Sequence, residues 1–245
     1  PYQMIAADVN RSGGITTLDL IQLRKLILNL EVDFPNNTSW RFIRADYEFP
    51  DPEDPWSAPF PESGNLNNLQ GTVTTDFVAI KIGDVNYSAR PNSLYDPNPR
   101  SVEGTMVLQT ADVNLVKGEW YDLPFYANMD DVAGYQFTME LPAEIADLVA
   151  VDPVLTREEN FGIFRITGQL TSAFVNVDNP GGEQHLFTLR IRARANGRLS
   201  DYLTISSAVT ESEAYDFEYN TLELILQVES ALPAYEASRL LPAHQ

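Results

Sequence analysis

The chain has 245 residues, room for one large or two modest domains that each bury a core. It contains no cysteine, which excludes disulfides and thiolate chemistry, and no stretch reaches the roughly eighteen consecutive apolar residues of a membrane-spanning helix. The net charge of −19 is uneven, with 13 acidic and 8 basic residues over 1–100 against 22 and 8 over 101–245; such a surface repels phosphate backbones and argues against a nucleic-acid partner. The same acidity suits a soluble protein in salt or in millimolar calcium. No signal peptide is visible in PYQMIAA, which points to a processed piece of something longer.

The first patterned stretch is ADVNRSGGITTLDLIQLRKLILNL. It fits a twelve-position metal loop, with Asp8 at position one, Asn10 at three, Ser12 at five, Gly13 at six, Ile15 at eight and Asp19 at twelve. Calcium takes six to eight oxygens. Alternation turns the side chains of Asp8, Asn10 and Ser12 to one side, Gly13 permits a sharp turn, and the Gly14 carbonyl can add a ligand at position seven. Asp19 stands where an EF-hand loop usually carries a bidentate Glu. The competing explanation is a plain helix cap with a glycine turn, but five positions of the metal register agree. Residues 17–30 predict a helix, with Leu20, Leu23, Ile27 and Leu30 on one stripe.

Residues 33–72 are dense in Pro, Asn, Asp and Ser, yet hold Trp40, Phe42, Phe49, Trp56 and Phe60. A disordered linker is poor in aromatics, so this segment is expected to be a long ordered loop covering the helix, with a short strand or helical turn at Trp40–Ile43. Residues 73–82 (VTTDFVAIKI) are expected to form a second short helix. It leads into Asp84-Val85-Asn86-Tyr87-Ser88, which repeats Asp8-Val9-Asn10-Arg11-Ser12 at the polar positions. The echo extends to Gly71–Asp76 against Gly14–Asp19, so the segment is duplicated. The second copy has Tyr95 where a closing acid would stand. Asp84, Asn86 and Ser88 are therefore candidates for a second, weaker ion, or for bonds to the first loop's backbone. Residues 89–100, with three prolines and no periodicity, mark the domain boundary.

From residue 101 the pattern turns to period two. Tyr121, Leu123, Phe125 and Ala127 alternate with polar or small neighbours; so do Tyr135, Phe137, Met139 and Leu141, then Phe187, Leu189, Ile191 and Ala193, then Leu222, Leu224, Leu226 and Val228. Turn signals at 114–118, 128–131, 179–182 and 196–197 separate them. Half-buried strands with regular turns predict an antiparallel β-sandwich. Pro124 inside a strand suggests an edge or a bulge. Trp120, opposite in parity to Tyr121, is expected to be exposed or to touch the other domain. Residues 230–245 show no pattern.

Catalytic signatures are missing. His185 and His244 belong to no zinc pattern, and there is neither a nucleophile elbow nor a phosphate-binding glycine loop. The acid pairs Asp130-Asp131 and Glu158-Glu159 fall in turns, where carboxylates usually face water. The chain is therefore expected not to be an enzyme.

Three resemblances follow. ADVNRSGGITTLDLIQLRKLI and DFVAIKIGDVNYSA resemble a type I dockerin module split by about forty inserted residues, similar to modules near the C-termini of large secreted proteins of Bacteroidota-type bacteria. The resemblance implies Asp8, Asn10, Ser12 and Asp19 as Ca²⁺ ligands, with the Gly14 carbonyl, and Thr17 and Leu18 facing a protein partner. Residues 101–228, through VEGTMVLQTADVNLVKGEWYDLPFYA and DDVAGYQFTMEL, resemble a cohesin-type sandwich, and SRLLPAHQ is similar to the stretch before a type IX secretion sorting domain. The expected fold is thus multidomain α+β: a small helical, dockerin-like EF-hand-type module over 1–90 with an insertion at about 31–72, a linker at 91–100, a cohesin-like or jelly-roll-like antiparallel sandwich over 101–229, and an arm at 230–245. The expected function is an extracellular or cell-surface bacterial structural or adhesion protein, stabilised by calcium and assembling into a filament or surface layer through self-association or a cohesin–dockerin-type partner. The alternative is a module that binds carbohydrate and anchors a secreted protein to polysaccharide.

Overall fold

The computed structural model describes residues 1–89, 102–178 and 180–229. The predicted linker at 91–100, Tyr95, Asn179, the arm at 230–245 and His244 lie outside the described residues. The chain divides into two compact units, Pro1–Leu26 with Leu30–Pro97, and Ile27–Asn29 with Asn98–Gln245.

The first unit begins with helix α1 (Tyr2–Ala7), the Asp8–Asp19 loop and helix α2 (Thr17–Ile27). Strands β1 (Trp40–Arg44) and β2 (Phe77–Lys81) then pair antiparallel, with Trp40 opposite Lys81 and Arg44 opposite Phe77. Ile5 and Ala6 of α1 pack with Val9, Ile43, Ile80 and Ile82 into a small core, flanked by Tyr2, Phe34, Tyr47, Phe49 and Phe60. Of the aromatics singled out in 33–72, Phe49 and Phe60 line this core while Phe42 is exposed, Phe49 meeting Tyr2 and Tyr47 edge-on with ring centres 5.6 and 5.1 Å apart.

This overturns the expected α+β module. Among the described residues there is no helical dockerin-like module, because the predicted second helix at 73–82 is strand β2. The reason is chemical: within Phe77–Lys81, Val78 and Ile80 are β-branched and favour the pleated backbone, and Trp40–Arg44 supplies a strand to pair with. Ile80 and Ile82 point inward while Phe77 and Ala79 point out, a period of two. The predicted stripe on α2 is also turned. Leu20 is 64% exposed and Ile27 and Leu30 are exposed, whereas Asp19 is buried and Leu23 packs against this unit's core. Ordering Asp19 inward costs the helix its simplest amphipathic arrangement.

In the second unit the strands are β3 (Val102–Ala111), β4 (Asn114–Leu115), β5 (Trp120–Asn128), β6 (Gly134–Glu140), β7 (Ala146–Pro153), β8 (Phe161–Phe164) and β9 (Gln169–Val175). They continue with β10 (Glu183–Ala193), β11 (Gly197–Arg198), β12 (Thr204–Ser206), β13 (Glu213–Tyr215) and β14 (Thr221–Glu229). One ladder runs β7-β10-β5-β3-β14-β13-β6-β9-β8, with β12 beside β6. It folds back on itself as a sandwich. Phe187 of β10 stacks on Phe125 of β5 at 4.7 Å, and across the core it meets Phe161 of β8 at 5.0 Å and Phe137 of β6 at 6.5 Å.

Two expectations need correction here. The sheet is not wholly antiparallel, since β14 pairs parallel to β3 from Thr221↔Val102 to Glu229↔Ala111. Pro124 is not on an edge, since β5 lies between β10 and β3, but an irregularity does stand beside it: the β10–β5 ladder shifts register between His185 and Phe187, opposite Tyr126 and Phe125, and β3–β5 holds at the single pair Gln109↔Tyr126. Trp120 is 38% exposed, with the Arg192 guanidinium 5.7 Å from its ring centre.

Candidate metal site

The loop between α1 and α2 buries three polar side chains. Asp8 is 0% exposed, Asp19 2% and Asn10 8%. Helix α1 delivers Asp8, its N–H donating to the Met4 carbonyl at 3.0 Å. Asp8 Oδ1 accepts from the Ser12 N–H at 2.8 Å and Oδ2 from the Gly13 N–H at 2.9 Å, so the chain folds around this carboxylate. The fold needs Arg11 at φ 58° and Gly13 at φ 80°. Asp19 arrives on the first turn of α2. Its Oδ2 accepts from the Thr16 N–H at 2.7 Å and its Oδ1 from the Asn10 N–H at 3.0 Å. Burial opposes ionisation of Asp19, but the N–H groups of Asn10 and Thr16 and the Thr16 hydroxyl outweigh it and hold the carboxyl below its ordinary value.

A helix cap accounts for the Thr16–Asp19 bonds. It does not account for the rest. Two buried carboxylates share this loop without a cationic side chain paired to either among the described residues. Asn10 Oδ1 is buried and, among the described residues, has no hydrogen-bond partner. Ser12 Oγ lies 3.2 Å from the Gly14 carbonyl oxygen and 3.4 Å from Asp8 Oδ1. Oxygens bound to one calcium ion at about 2.3–2.6 Å stand about 3.2–3.7 Å from their octahedral neighbours. The donors are all oxygens, as a hard cation requires. The residues present fit Ca²⁺, and the unpartnered Asn10 oxygen is the atom that such an ion would satisfy.

The second turn copies the backbone of the first. Asp84 Oδ1 accepts from the Ser88 N–H at 2.9 Å and Oδ2 from the Ala89 N–H at 3.0 Å, and Tyr87 stands at φ 60° where Arg11 stands at 58°. It differs in its third residue. Asn86 is exposed and its Oδ1 accepts from the Ser88 N–H at 3.1 Å, so that oxygen is already used. The turn is fastened to α1 instead, through Gly83 N–H to the Ala6 carbonyl at 2.8 Å and Gln3 Nε2 to the Val85 carbonyl at 2.8 Å. Thr17 and Leu18, expected to face a partner, are exposed, Leu18 by 50%.

The acid pairs of the sandwich serve turns. Asp130 Oδ1 accepts from the Gly182 N–H at 2.8 Å, and Glu158 and Glu159 sit exposed in a short 3-10 turn. The lining of a 590 Å³ cleft includes Asp130, Asp131, Glu183, Asp216 and Glu218 beside apolar residues such as Val107 and Leu222. The buried member, Asp216, spends its oxygens on the N–H groups of Glu218 and Asn220 and on the Asn220 amide. Three residues meet the Asp8–Asp19 loop from outside in contacts the sequence does not announce: Asn37, Trp56 and Glu62. The only sign of them was the unusual aromatic and polar density of 33–72.

No protein-family model and no curated protein matches the chain. Among solved structures, a chain of a type I cohesin–dockerin complex from Clostridium thermocellum matches at 12% identity, covering 53% of this chain and 93% of its own, with a TM-score of 0.42. A non-cellulosomal cohesin from Archaeoglobus fulgidus matches at 16% identity over 50% of this chain and 86% of its own, with a TM-score of 0.38. A type II cohesin domain from the cellulosome of Acetivibrio cellulolyticus matches at 10% identity over 51% and 91%, with a TM-score of 0.37.

Proposed function

We propose that the first unit is a calcium-binding structural module, and that the chain is a non-enzymatic, calcium-stabilised protein that works outside the cell, where free calcium is about millimolar. The observation that carries this is the buried, unpartnered Asn10 Oδ1 in a loop that also buries two carboxylates, neither paired with a cationic side chain among the described residues. Leaving a polar atom so placed costs about 1–3 kcal/mol, and a buried carboxylate more. A bound Ca²⁺ removes each cost at once. Asp8, Asn10, Ser12 and Asp19 supply side-chain oxygens and Gly14 its carbonyl; the ion contributes charge neutralisation and closure of the loop, with no reaction. One ion is assigned to this loop, and the Asp84 turn is a weaker second position.

Titration calorimetry on chelator-stripped protein tests the assignment. Calcium should bind the Asp8 loop with a stoichiometry of one, more tightly than Mg²⁺, which demands near-ideal octahedral geometry at about 2.0–2.1 Å. Asp8→Asn or Asp19→Asn should remove that binding. Absence of binding by the wild type at about 10 mM calcium, above the range of extracellular modules, sinks the assignment.

The exposed apolar residues Ile15, Leu18, Leu20 and Ile21 favour an accompanying role for this unit in binding a protein at Thr17 and Leu18, a second copy included. Sedimentation of the wild type and of Leu18→Glu, each in calcium, reads this directly. Identical monomeric profiles exclude self-association through that surface.

A further inference from the structure

The segment between α2 and β2 reaches the Asp8–Asp19 loop at three places, all within the first unit. Asn37 Nδ2 donates to the carbonyls of Asp8 and Val9, each at 3.1 Å. Its Oδ1 accepts from the Thr38 N–H at 2.9 Å, which fixes the amide from its other end. Glu62 spans two arginines, Oε2 accepting from Arg11 Nη2 and Oε1 from Arg41 Nε, both at 2.6 Å. Arg41 is 6% exposed and its guanidinium stands 5.1 Å from the Phe60 ring centre, so Glu62 is moored to a fixed point on β1. Trp56 lies over Gly13, where an added Cβ would come within 3.9 Å of the indole.

These contacts fall on loop positions one, two, four and six. Position four is the difficult one. Arg11 at φ 58° is in a left-handed conformation that a side chain disfavours, and its ion pair with Glu62 holds it there. Asn37 grips the backbone where the chain leaves α1 and begins to wrap around the first carboxylate.

We propose that Asn37 and Glu62 are positioning residues for the cation: they hold the loop backbone in its binding shape before the ion arrives, so a segment that supplies no ligand sets part of the affinity. This rests on the calcium reading of the loop. Preorganisation moves the ordering cost from binding to folding, and outer-shell partners of metal sites typically contribute tenfold to a hundredfold in affinity.

The test uses the full chain with Tb³⁺ as a luminescent probe, Ca²⁺ in competition, and calorimetry with Ca²⁺ alone. Wild type, Asn37→Ala, Glu62→Gln and Trp56→Phe are compared, each first shown by circular dichroism in chelator to be folded. Glu62→Gln preserves shape and an acceptor, so it stays folded should Asn37→Ala fail to. Asn37→Ala and Glu62→Gln should each weaken Ca²⁺ by about tenfold or more. Trp56→Phe should abolish sensitised Tb³⁺ emission, because Trp56 is the indole beside the loop. A merely structural role lowers the melting temperature in chelator and leaves the dissociation constant where it was. Wild-type binding with both variants within about twofold overturns the positioning role and leaves the calcium site standing. No ion binding by the wild type overturns both.

Discussion

Among the described residues the sandwich gathers 25 buried apolar side chains into one core, while the first unit gathers six. Beside those six, the first unit also buries Asp8, Asn10, Asp19 and Arg41. Its interior therefore holds four such polar residues beside six apolar ones, groups that are costly to bury unless paired, whereas the sandwich sets nine buried polar residues beside 25 apolar ones that gain by burial. The proposed ion would add to what so small a core supplies, as metals commonly do in small domains.

Four measurements can break or sharpen this contrast. The largest effect belongs to the sandwich. Phe187→Ala removes the ring that joins Phe125, Phe137 and Phe161 and should cost about 3–5 kcal/mol, read as lost hydrogen-exchange protection over 102–229. Withdrawal of calcium comes next. At free calcium between about 100 and 1,000 times its dissociation constant, an ion adds about 2.7–4.1 kcal/mol. Chelation should therefore expose the amides of β1 and β2 to exchange while those of β6 and β10 stay protected. Equal loss in both units would erase the distinction between an ion-held and a core-held fold.

Gly83→Ala follows, at about 1–3 kcal/mol. Gly83 sits at φ 89° and a Cβ there would come within 2.9 Å of Leu23 Cδ1. Gly118→Ala is the internal comparison: φ is 95° but the space is open, so its chemical-denaturation midpoint should fall less. The smallest effect is that of pH on Asp112 in the sandwich. Burial opposes its charge, but the Ser200 N–H and hydroxyl and the Arg198 guanidinium outweigh burial and hold its pKa below the ordinary value. A depressed folded-state pKa adds stability that is complete above the unfolded value of about 3.9 and is lost as pH falls through the folded value. Acid-unfolding curves of wild type and Asp112→Asn should separate above about pH 5 and converge as Asp112 becomes protonated.

Local patterns made much of the sandwich legible. Leu123, Phe125 and Ala127, Tyr135 to Leu141 at alternate positions, and Phe187 to Ala193 likewise are all buried, because a half-buried strand writes its environment into every second residue. The turn from Asp8 to Asp19 is equally local, its two carboxylates accepting from N–H groups of residues 10 to 16. What escaped depends on distant partners. Phe77–Lys81 looked helical because apolar residues at 77, 78 and 80 suit either period, and the deciding partner, Trp40–Arg44, lies more than thirty residues upstream. The parallel β3–β14 pair joins the first and last strands of the sandwich, which no local signal encodes. Asn37 and Glu62 carry no motif of their own; they become meaningful only once the chain brings them back over residues 8–13.

That parallel pair has a mechanical consequence. Val102 opens β3 beside Thr221, and Glu229 closes β14 beside Ala111, so the chain enters the sandwich at one end of this ladder and leaves at the other, about 30 Å away. Tension transmitted along the polypeptide therefore pulls β3 and β14 past each other lengthwise. The load falls on all the bonds of the ladder together, as in a lap joint, and none can be peeled away in turn. A hairpin pairing of the same two strands would open like a zip under the same force.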